Sequence, residues 1–402
     1  MIYTLFLLKR SIEAIFIWPF ILLGRARADK YPLEEAYDIF FFFPFYHTGG
    51  AEKVHAQVAQ AFHGRKCLVI FTRRSHNEGF RDAFAQSGHR VLDISAYTDN
   101  RKAYWKNLIW RGVVSAHINR QKGKPLVFNG QCNFAYKCAP WIRKDIPQME
   151  LIHSYNSFSW IRIPFLPFYR QTVMISRKAI ADHEAQYARL GIPGSMLSRI
   201  RLIQNGIPLP AEVPLRRFDG TSMRVLYAGR ATPEKRVHLV AEAAMRCRES
   251  GFPASFSFLG DIRTHLPPSL QDAGYFYGSS NDPATIGKAY ADAEVLVISS
   301  SEEGFPMVVM EAMSMGCIIL GTPVGDLPHH IRQGVNGFIF SSAKDEKTVI
   351  EEMQEYLRQL LEDPVLCARI SAANIEYARE HFGLPTFDGA YRGLADQLIQ
   401  QS

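Results

Sequence analysis

Ser300-Ser301-Glu302-Glu303-Gly304-Phe305-Pro306-Met307-Val308-Val309-Met310-Glu311-Ala312-Met313 places two carboxylates on either side of a glycine-led helix start. The apolar run Val295-Leu296-Val297-Ile298 ahead of it reads as a buried parallel strand, and Pro306 fits the first turn of the helix that follows. The free N–H groups of Gly304, Phe305 and Met307 then face outward at the positive end of the helix dipole, where an anion is favoured. Glu303 lies in the loop before that turn and Glu311 more than a turn inside the helix, so the two cannot share one point. A carboxylate beside a diphosphate is tolerated only if it accepts hydrogen bonds from neutral hydroxyls. The stretch therefore predicts a site for a phosphorylated sugar, one glutamate on sugar hydroxyls and the other on those of a ribose. Taken singly, Glu303 also reads as a solvated loop residue and Glu311 as an exposed helix residue.

A second phosphate element stands at Val225-Leu226-Tyr227-Ala228-Gly229-Arg230-Ala231-Thr232-Pro233-Glu234-Lys235. A strand running into Gly229-Arg230, with Lys235 at the opening of the next helix, brings two cations to a strand's carboxyl edge, where α/β sheets bind ligands. Arg230 can grip phosphate oxygens as a fork and Lys235 adds a point charge. Earlier in the chain, Gly49-Gly50-Ala51-Glu52 allows close backbone approach to a ligand or simply makes a tight turn. His153 ends a predicted strand over 149–153, and its structural alternative is a polar strand-end histidine bonded to backbone.

From about Tyr37 onward, these motifs resemble the retaining, nucleotide-sugar-dependent glycosyltransferases of family 4. The resemblance implies the GT-B fold, an α/β architecture of two Rossmann-like doubly wound domains facing a cleft. It makes Glu303 and Glu311 the family's Glu-x7-Glu pair, on donor sugar and ribose, and Arg230 and Lys235 its diphosphate cations. It also aligns Gly49-Gly50-Ala51-Glu52 with a loop facing diphosphate and acceptor, and His153 with a histidine near the donor sugar. The expected catalytic group is His153, Glu303, Arg230 and Lys235. Gly49, Gly50, Gly229, Gly304, Phe305, Pro306 and Glu311 join the last three around the donor. The chain departs from the family after Gly321-Thr322-Pro323-Val324-Gly325, where Asp326-Leu327-Pro328-His329-His330 replaces a second glycine and Pro-Glu. No Asp-x-Asp pair follows a strand and His329-His330 has no supporting ligand pattern, so no bound metal is expected. The nucleoside diphosphate sugar is a co-substrate and no other cofactor is expected.

At 402 residues and 47% hydrophobic content, the chain suits two or three domains. The +7 charge suits anionic substrates or an anionic membrane face, and no basic run interleaved with aromatics points to nucleic acid. Six dispersed cysteines without a CxxC pair read as reduced, buried thiols. Strands are expected over 38–45, 66–72, 125–129, 149–153 and 172–176, then over 223–227, 254–259, 274–277, 295–298, 317–321 and 337–340. The expected organisation is an N-terminal segment 1–30, an acceptor-side domain 31–207, a hinge 208–222, a nucleotide-sugar domain 223–375, and a C-terminal helix 376–402 crossing back. Asn205-Gly206 reads as a structural turn.

Residues 1–23 are nearly all apolar but carry Lys9, Arg10 and Glu13, and the unbroken block 14–23 is short for a bilayer. An interfacial helix is expected, with Trp18 at headgroup level and Arg25 and Arg27 near acidic lipid. A signal peptide ending at Ala26-Arg27-Ala28, and a helix packed on the first domain, are the competing readings. The functional expectation is transfer of a hexose-type sugar from a nucleoside diphosphate, UDP first, to a hydroxyl of a glycan or lipid-linked glycan. The protein would lie peripherally on the inner, cytoplasmic membrane face. An epimerase of the same fold, or a non-catalytic partner subunit, are the alternatives.

Overall fold

The computed structural model describes residues 2–30, 32–33, 35–213, 216–280 and 282–401. The chain forms two compact units, Met1–Asn205 with Phe387–Ser402, and Gly206–Thr386. Unit 1 holds a seven-stranded sheet of β1 (Ile39–Phe43), β2 (Cys67–Phe71), β3 (Arg90–Asp93), β4 (Leu126–Gly130), β5 (Gln148–Ile152), β6 (Gln171–Met174) and β7 (Ile200–Leu202). Its order is β3-β2-β1-β4-β5-β6-β7, with every pairing parallel. Unit 2 repeats the plan with β8 (Met223–Ala228), β9 (Ala254–Leu259), β10 (Tyr275–Gly278), β11 (Val295–Ile298), β12 (Ile318–Gly321) and β13 (Gly337–Ile339), in the order β10-β9-β8-β11-β12-β13.

Central strands are buried on both faces, which is why they read as unbroken apolar runs such as Ile39-Phe40-Phe41-Phe42-Phe43. The expectation missed β3 and β7. Both are edge strands, β3 being charged at each end with Arg90 and Asp93 exposed, so neither shows a continuous apolar signal. Most other strand ends shift by one or two residues, in either direction, while β9 and β11 have the expected bounds. Asn205-Gly206 is not a turn: the chain runs extended there into an isolated bridge from Ile207 to Gly383. Within the stretch 208–222 expected to be a hinge, Pro214 and Leu215 lie outside the described residues. Arg216 is docked on unit 2, donating to the carbonyls of Met315 (2.8 Å) and Tyr290 (2.7 Å).

Both sheets reverse their winding once, between β1 and β4 in unit 1 and between β8 and β11 in unit 2. Loops diverge to opposite faces at such a point and leave a crevice at the strands' carboxyl ends. The Gly49-Gly50 turn follows β1 and opens helix α2 (Gly50–Ala61), whose Val54 and Val58 are buried. The Gly229-Arg230 element follows β8, and the Ser300–Met313 stretch follows β11.

Helix α1 (Ile2–Ala28) is 27 residues long and lies along helix α3 (Tyr104–Asn119) within unit 1. Tyr3, Ile21, Gly24 and Ala28 face inward at heptad-like spacing and are buried. The reading that packs this helix on the first domain therefore describes one of its faces. The crossing is made by glycines: a Cβ on Gly24 would lie 2.1 Å from the carbonyl oxygen of Ile109 and 2.8 Å from Cα of Gly112. A Cβ on Gly112 would lie 2.3 Å from the carbonyl oxygen of Ile21. Backbone cannot yield as a flexible side chain can, so Gly24→Val should lower the urea midpoint by the equivalent of about 1 to 3 kcal/mol. Gly194→Ala, where an added Cβ meets open space, should leave the midpoint unchanged. Equal midpoints for all three proteins would show that α1 does not pack this closely.

Candidate functional site

In unit 2 the loops after β8 and β11 are knitted together. The Lys235 ammonium pairs with the Glu303 carboxylate, and Ser300 Oγ donates to the same Glu303 oxygen at 2.7 Å. Backbone N–H of Ser301 donates to the Glu234 carbonyl (2.8 Å), and Ser299 Oγ to the carbonyls of Lys235 (2.9 Å) and Arg236 (3.0 Å). Arg236, to which the sequence assigned no role, sits at φ 47° and is buried. Its guanidinium donates to the carbonyls of Ser299 (2.8 Å) and Ser300 (3.2 Å), which holds the β11 loop against the β8 loop. Its position beside a recognised cation gave no hint of this, since the left-handed backbone conformation is visible only in three dimensions.

Beside this knot lies a cavity of about 420 Å³, lined among others by Gly229, Arg230, Gly260, Ser280, Tyr290 and Glu311. Gly229 (φ 156°) and Gly260 (φ 136°), which directly follow the neighbouring strands β8 and β9, line it in backbone conformations that side-chain residues rarely adopt. A Cβ on Gly260 would lie 2.1 Å from the Gly229 carbonyl oxygen. Glu311, also in the lining, accepts a hydrogen bond from Tyr290 Oη at 2.9 Å. Burial, followed by the Glu311 charge, raises the Tyr290 phenol well above its ordinary range, so it stays a donor. The Arg230 side chain is 78% exposed and makes only a distant pair with Glu234, 3.9 Å away.

The structure thus places Gly229, Arg230 and Glu311 around one cavity, and Lys235 with Glu303 next to it. Two expectations change. Pro306 is the residue before the first helical one rather than in the first turn: helix α4 is Met307–Ser314, and Pro306 is extended at ψ 133°. The Phe305 ring faces the core, stacked on His330 at 4.1 Å and near Phe382, so only its backbone is available to a ligand. His330 bonds Tyr377 Oη through Nδ1 (2.9 Å) and belongs to that aromatic cluster. The departure after Gly321 has a structural use. Gly325 (φ 56°) lies where a Cβ would meet the Gly304 carbonyl oxygen at 2.0 Å, and Asp326 N–H donates to that oxygen at 2.7 Å. The divergent loop therefore backs Glu303-Gly304 directly. Gly260, Ser280 and Tyr290 were missed; only a glycine directly after an apolar strand, at Leu259-Gly260-Asp261, could have marked the first.

In unit 1, His153 Nε2 lies 2.9 Å from His55 Nε2. One ring must donate and the other accept, so the two cannot both be protonated. Burial, and then the neighbouring His153, push His55 well below the ordinary imidazole range, and burial brings His153 to about 4. His55 stacks on Phe43 at 4.5 Å and was not singled out from sequence, where it reads as one more residue on α2. The segment after His153 is anchored by Arg162, which is fully buried and pairs with Glu150 of β5. Arg162 also donates to Tyr187 Oη at 2.6 Å, and Glu150 accepts from Thr172 Oγ1 at 2.7 Å and Tyr136 Oη at 2.9 Å. Burial opposes the Glu150 charge, but Arg162 and these donors outweigh it and hold the carboxyl below its ordinary range. Gly49 is extended at φ −174° and a Cβ on Gly50 would meet open space, so this turn gives close approach to whatever lies outside it.

Residues 222–363 match the family model described as "Glycosyl transferases group 1". The chain is similar to the sulfoquinovosyl transferase SQD2 of Arabidopsis thaliana, 29% identical over 170 residues that cover 41% of this chain and 29% of that protein. It is also similar to an uncharacterized glycosyltransferase of Methanocaldococcus jannaschii, 31% identical over 157 residues covering 35% of this chain and 40% of the relative. The chain thus spans well under half the length of these curated relatives. Over nearly its whole length it superposes on the crystal structure of Anabaena Alr3699/HepE in complex with UDP, with a TM-score of 0.68, 16% identity, and coverage of 90% of this chain and 100% of that one. Two parallel-sheet, Rossmann-like units of this order constitute the GT-B fold, and the second of them carries the group 1 glycosyl transferase pattern.

Proposed function

We propose that the protein is a retaining glycosyltransferase that moves a hexose-type sugar from a nucleoside diphosphate, UDP first, to a hydroxyl of a glycan or lipid-linked glycan. The observation that carries this reading is the cavity at the switch point of unit 2, whose lining combines the backbone of Gly229 and Gly260 with the Glu311 carboxylate and the exposed Arg230. A planar base and ribose suit the glycine backbone, and Glu311 accepts ribose hydroxyls. Arg230 and Lys235 meet the diphosphate, aided by the N-terminus of α4. Lys235 holds Glu303 in place before the donor arrives, which orients that carboxylate toward the sugar hydroxyls. The similarity to group 1 transferases, and the UDP bound in the superposed Anabaena structure, support the donor class.

By the family resemblance, the acceptor attacks on the face that the diphosphate leaves, and a phosphate oxygen helps to take its proton. The protein then acts by positioning and by stabilising the leaving charge. The resemblance places His153, Gly49 and Gly50 near the donor, and with no Asp-x-Asp pair after a strand the diphosphate charge falls to Arg230, Lys235 and helix N-termini rather than to a metal.

Arg230→Ala and Lys235→Ala should each lower turnover by the equivalent of about 2 to 4 kcal/mol in steady-state assays with UDP-sugars. Unchanged kcat/KM in both would remove these residues from the diphosphate site. In titration calorimetry with UDP alone, Glu311→Ala should weaken binding, while Glu303→Ala should spare it and impair transfer. Equal losses of UDP affinity would refute that division.

Acid stability supplies a further test. In the unfolded chain an imidazole takes up a proton below about 6.5, whereas His153 in the folded unit resists protonation down to about 4. The unfolded state therefore binds more protons between these values, so stability is intact above the upper one and falls as pH drops toward the lower. His153→Gln should flatten that decline in urea midpoints measured across the interval. An unchanged slope would show that His153 is not held neutral by its surroundings.

A further inference from the structure

A cavity of about 550 Å³ lies in unit 1 between α1, α3 and the segment after His153, lined among others by Lys9, Arg10, Arg111, Lys137, Trp141 and Trp160. Among the described residues, Glu13 is the one carboxylate in its lining. Arg111 is 2% exposed, and its hydrogen bonds go to neutral groups: Nε and Nη2 to Asn107 Oδ1 (3.0 and 2.9 Å), and Nη2 to Tyr104 Oη (2.7 Å). Among the described residues it makes no ion pair, the Glu13 carboxylate of the same cavity acting on it only from beyond ion-pair distance, and a buried cation held this way costs free energy unless something compensates. Lys137 Nζ donates to the same Tyr104 oxygen at 3.3 Å. Burial pushes the Tyr104 phenol up, but Arg111 and Lys137 outweigh it and leave it below its ordinary range, which registers the positive field there. Arg10 Nη1 is fixed on the Pro164 carbonyl at 2.7 Å, its guanidinium over the Phe168 ring.

The outer face of α1 borders this cavity and has no cover. Leu5, Leu8, Ile12, Ile15 and Leu22 recur three, four or seven residues apart and stand between 40% and 71% exposed, flanked by Phe16 at 73% and Trp18 at 52%. Water is a poor solvent for so long a stripe. No described helix is long and apolar enough to cross a membrane. The Gly24–Gly112 crossing clamps the inner face, so the stripe is presented flat. Apolar length, an aromatic at its edge and basic residues alongside are what an interfacial helix offers to lipid. Charge complementarity distinguishes this occupant from a second copy of the chain, because the cavity opening beside the stripe asks for an anion. A smaller cavity of about 280 Å³ shares Tyr104, Lys137 and Ile161 with the first and reaches Thr72 and Asn133, just beyond the carboxyl ends of β2 and β4.

We infer that this cavity binds the anionic phosphate head of a lipid while the outer stripe of α1 lies on the lipid surface. The inference stands apart from the transferase reading, because binding is measured without a donor. The full chain is floated with vesicles of phosphatidylcholine alone, or doped equally with phosphatidic acid or with a polyprenyl phosphate. Doped vesicles should retain about tenfold more protein than undoped ones, the preference fading with salt. A preference for the polyprenyl dopant identifies a carrier lipid as the source of the phosphate, and equal or greater retention by phosphatidic acid identifies a bilayer lipid. Phe16→Glu should reduce flotation on every vesicle. Lys137→Glu, at a half-buried site, and Arg111→Met should erase the preference for doped vesicles while keeping the wild-type thermal midpoint. Should Arg111→Met not fold, Lys137→Glu decides alone. Equal flotation on doped and undoped vesicles, or a preference untouched by Lys137→Glu, would overturn the assignment. So would failure to float together with a dimer that Phe16→Glu dissociates, or a thermal stabilisation by inorganic phosphate equal to that by the doped vesicles.

Discussion

The Lys235–Glu303 ion pair is the interaction on which the second unit's site depends. It bridges the loops after β8 and β11 at the point where the sheet reverses its winding, and both partners are largely shielded from water. Each charge would be costly there alone, so the pair holds two loops of distant sequence in one geometry. Arg236 and Ser299 reinforce the junction through backbone carbonyls, and Gly325 with Asp326 support it from behind. The result is a preformed carboxylate and ammonium beside a cavity that Gly229 and Gly260 line with backbone. Arg230 instead extends into solvent from the same loop, 78% exposed.

The first unit uses charge differently. Its buried Glu150–Arg162 pair is surrounded by three hydroxyl groups, so its lone pairs and protons are spoken for, and it tethers the segment that follows His153 to the sheet. The His55–His153 contact a few residues away is neutral, shielded and one proton short of being charged. A network so fully satisfied reads as scaffolding, whereas the pair in unit 2 lies next to the cavity that Arg230 and Glu311 line.

Helix α1 shows how one element meets two environments. Its inner stripe buries Tyr3, Ile21 and Ala28, and glycine contacts bring its backbone against α3, while its outer stripe remains as apolar as a core. Composition alone is nearly symmetrical around this helix, so a pattern reading sees an apolar segment with interruptions. The interruptions prove to have an address: Arg10 folds onto the Pro164 carbonyl and the Phe168 ring, at the rim of the basic cavity.

The architecture was legible in the sequence because parallel strands buried on both faces leave apolar runs, and glycines after such runs mark the carboxyl edge where ligands sit. Gly229, Arg230, Lys235, Glu303 and Glu311 were singled out by their position after such strands together with the family resemblance. Edge strands β3 and β7 were not, because half-exposed strands do not sustain an apolar run. Nor could spacing show that Phe305 turns into the core, that Arg236 adopts a left-handed backbone, or that His55 meets His153. Those facts depend on contacts between residues up to about a hundred positions apart, such as His55 with His153. Local pattern determines which segments become strands and helices and what their ends can bind; tertiary packing decides which charges meet, because side-chain partners are chosen by the distances that the folded sheet imposes.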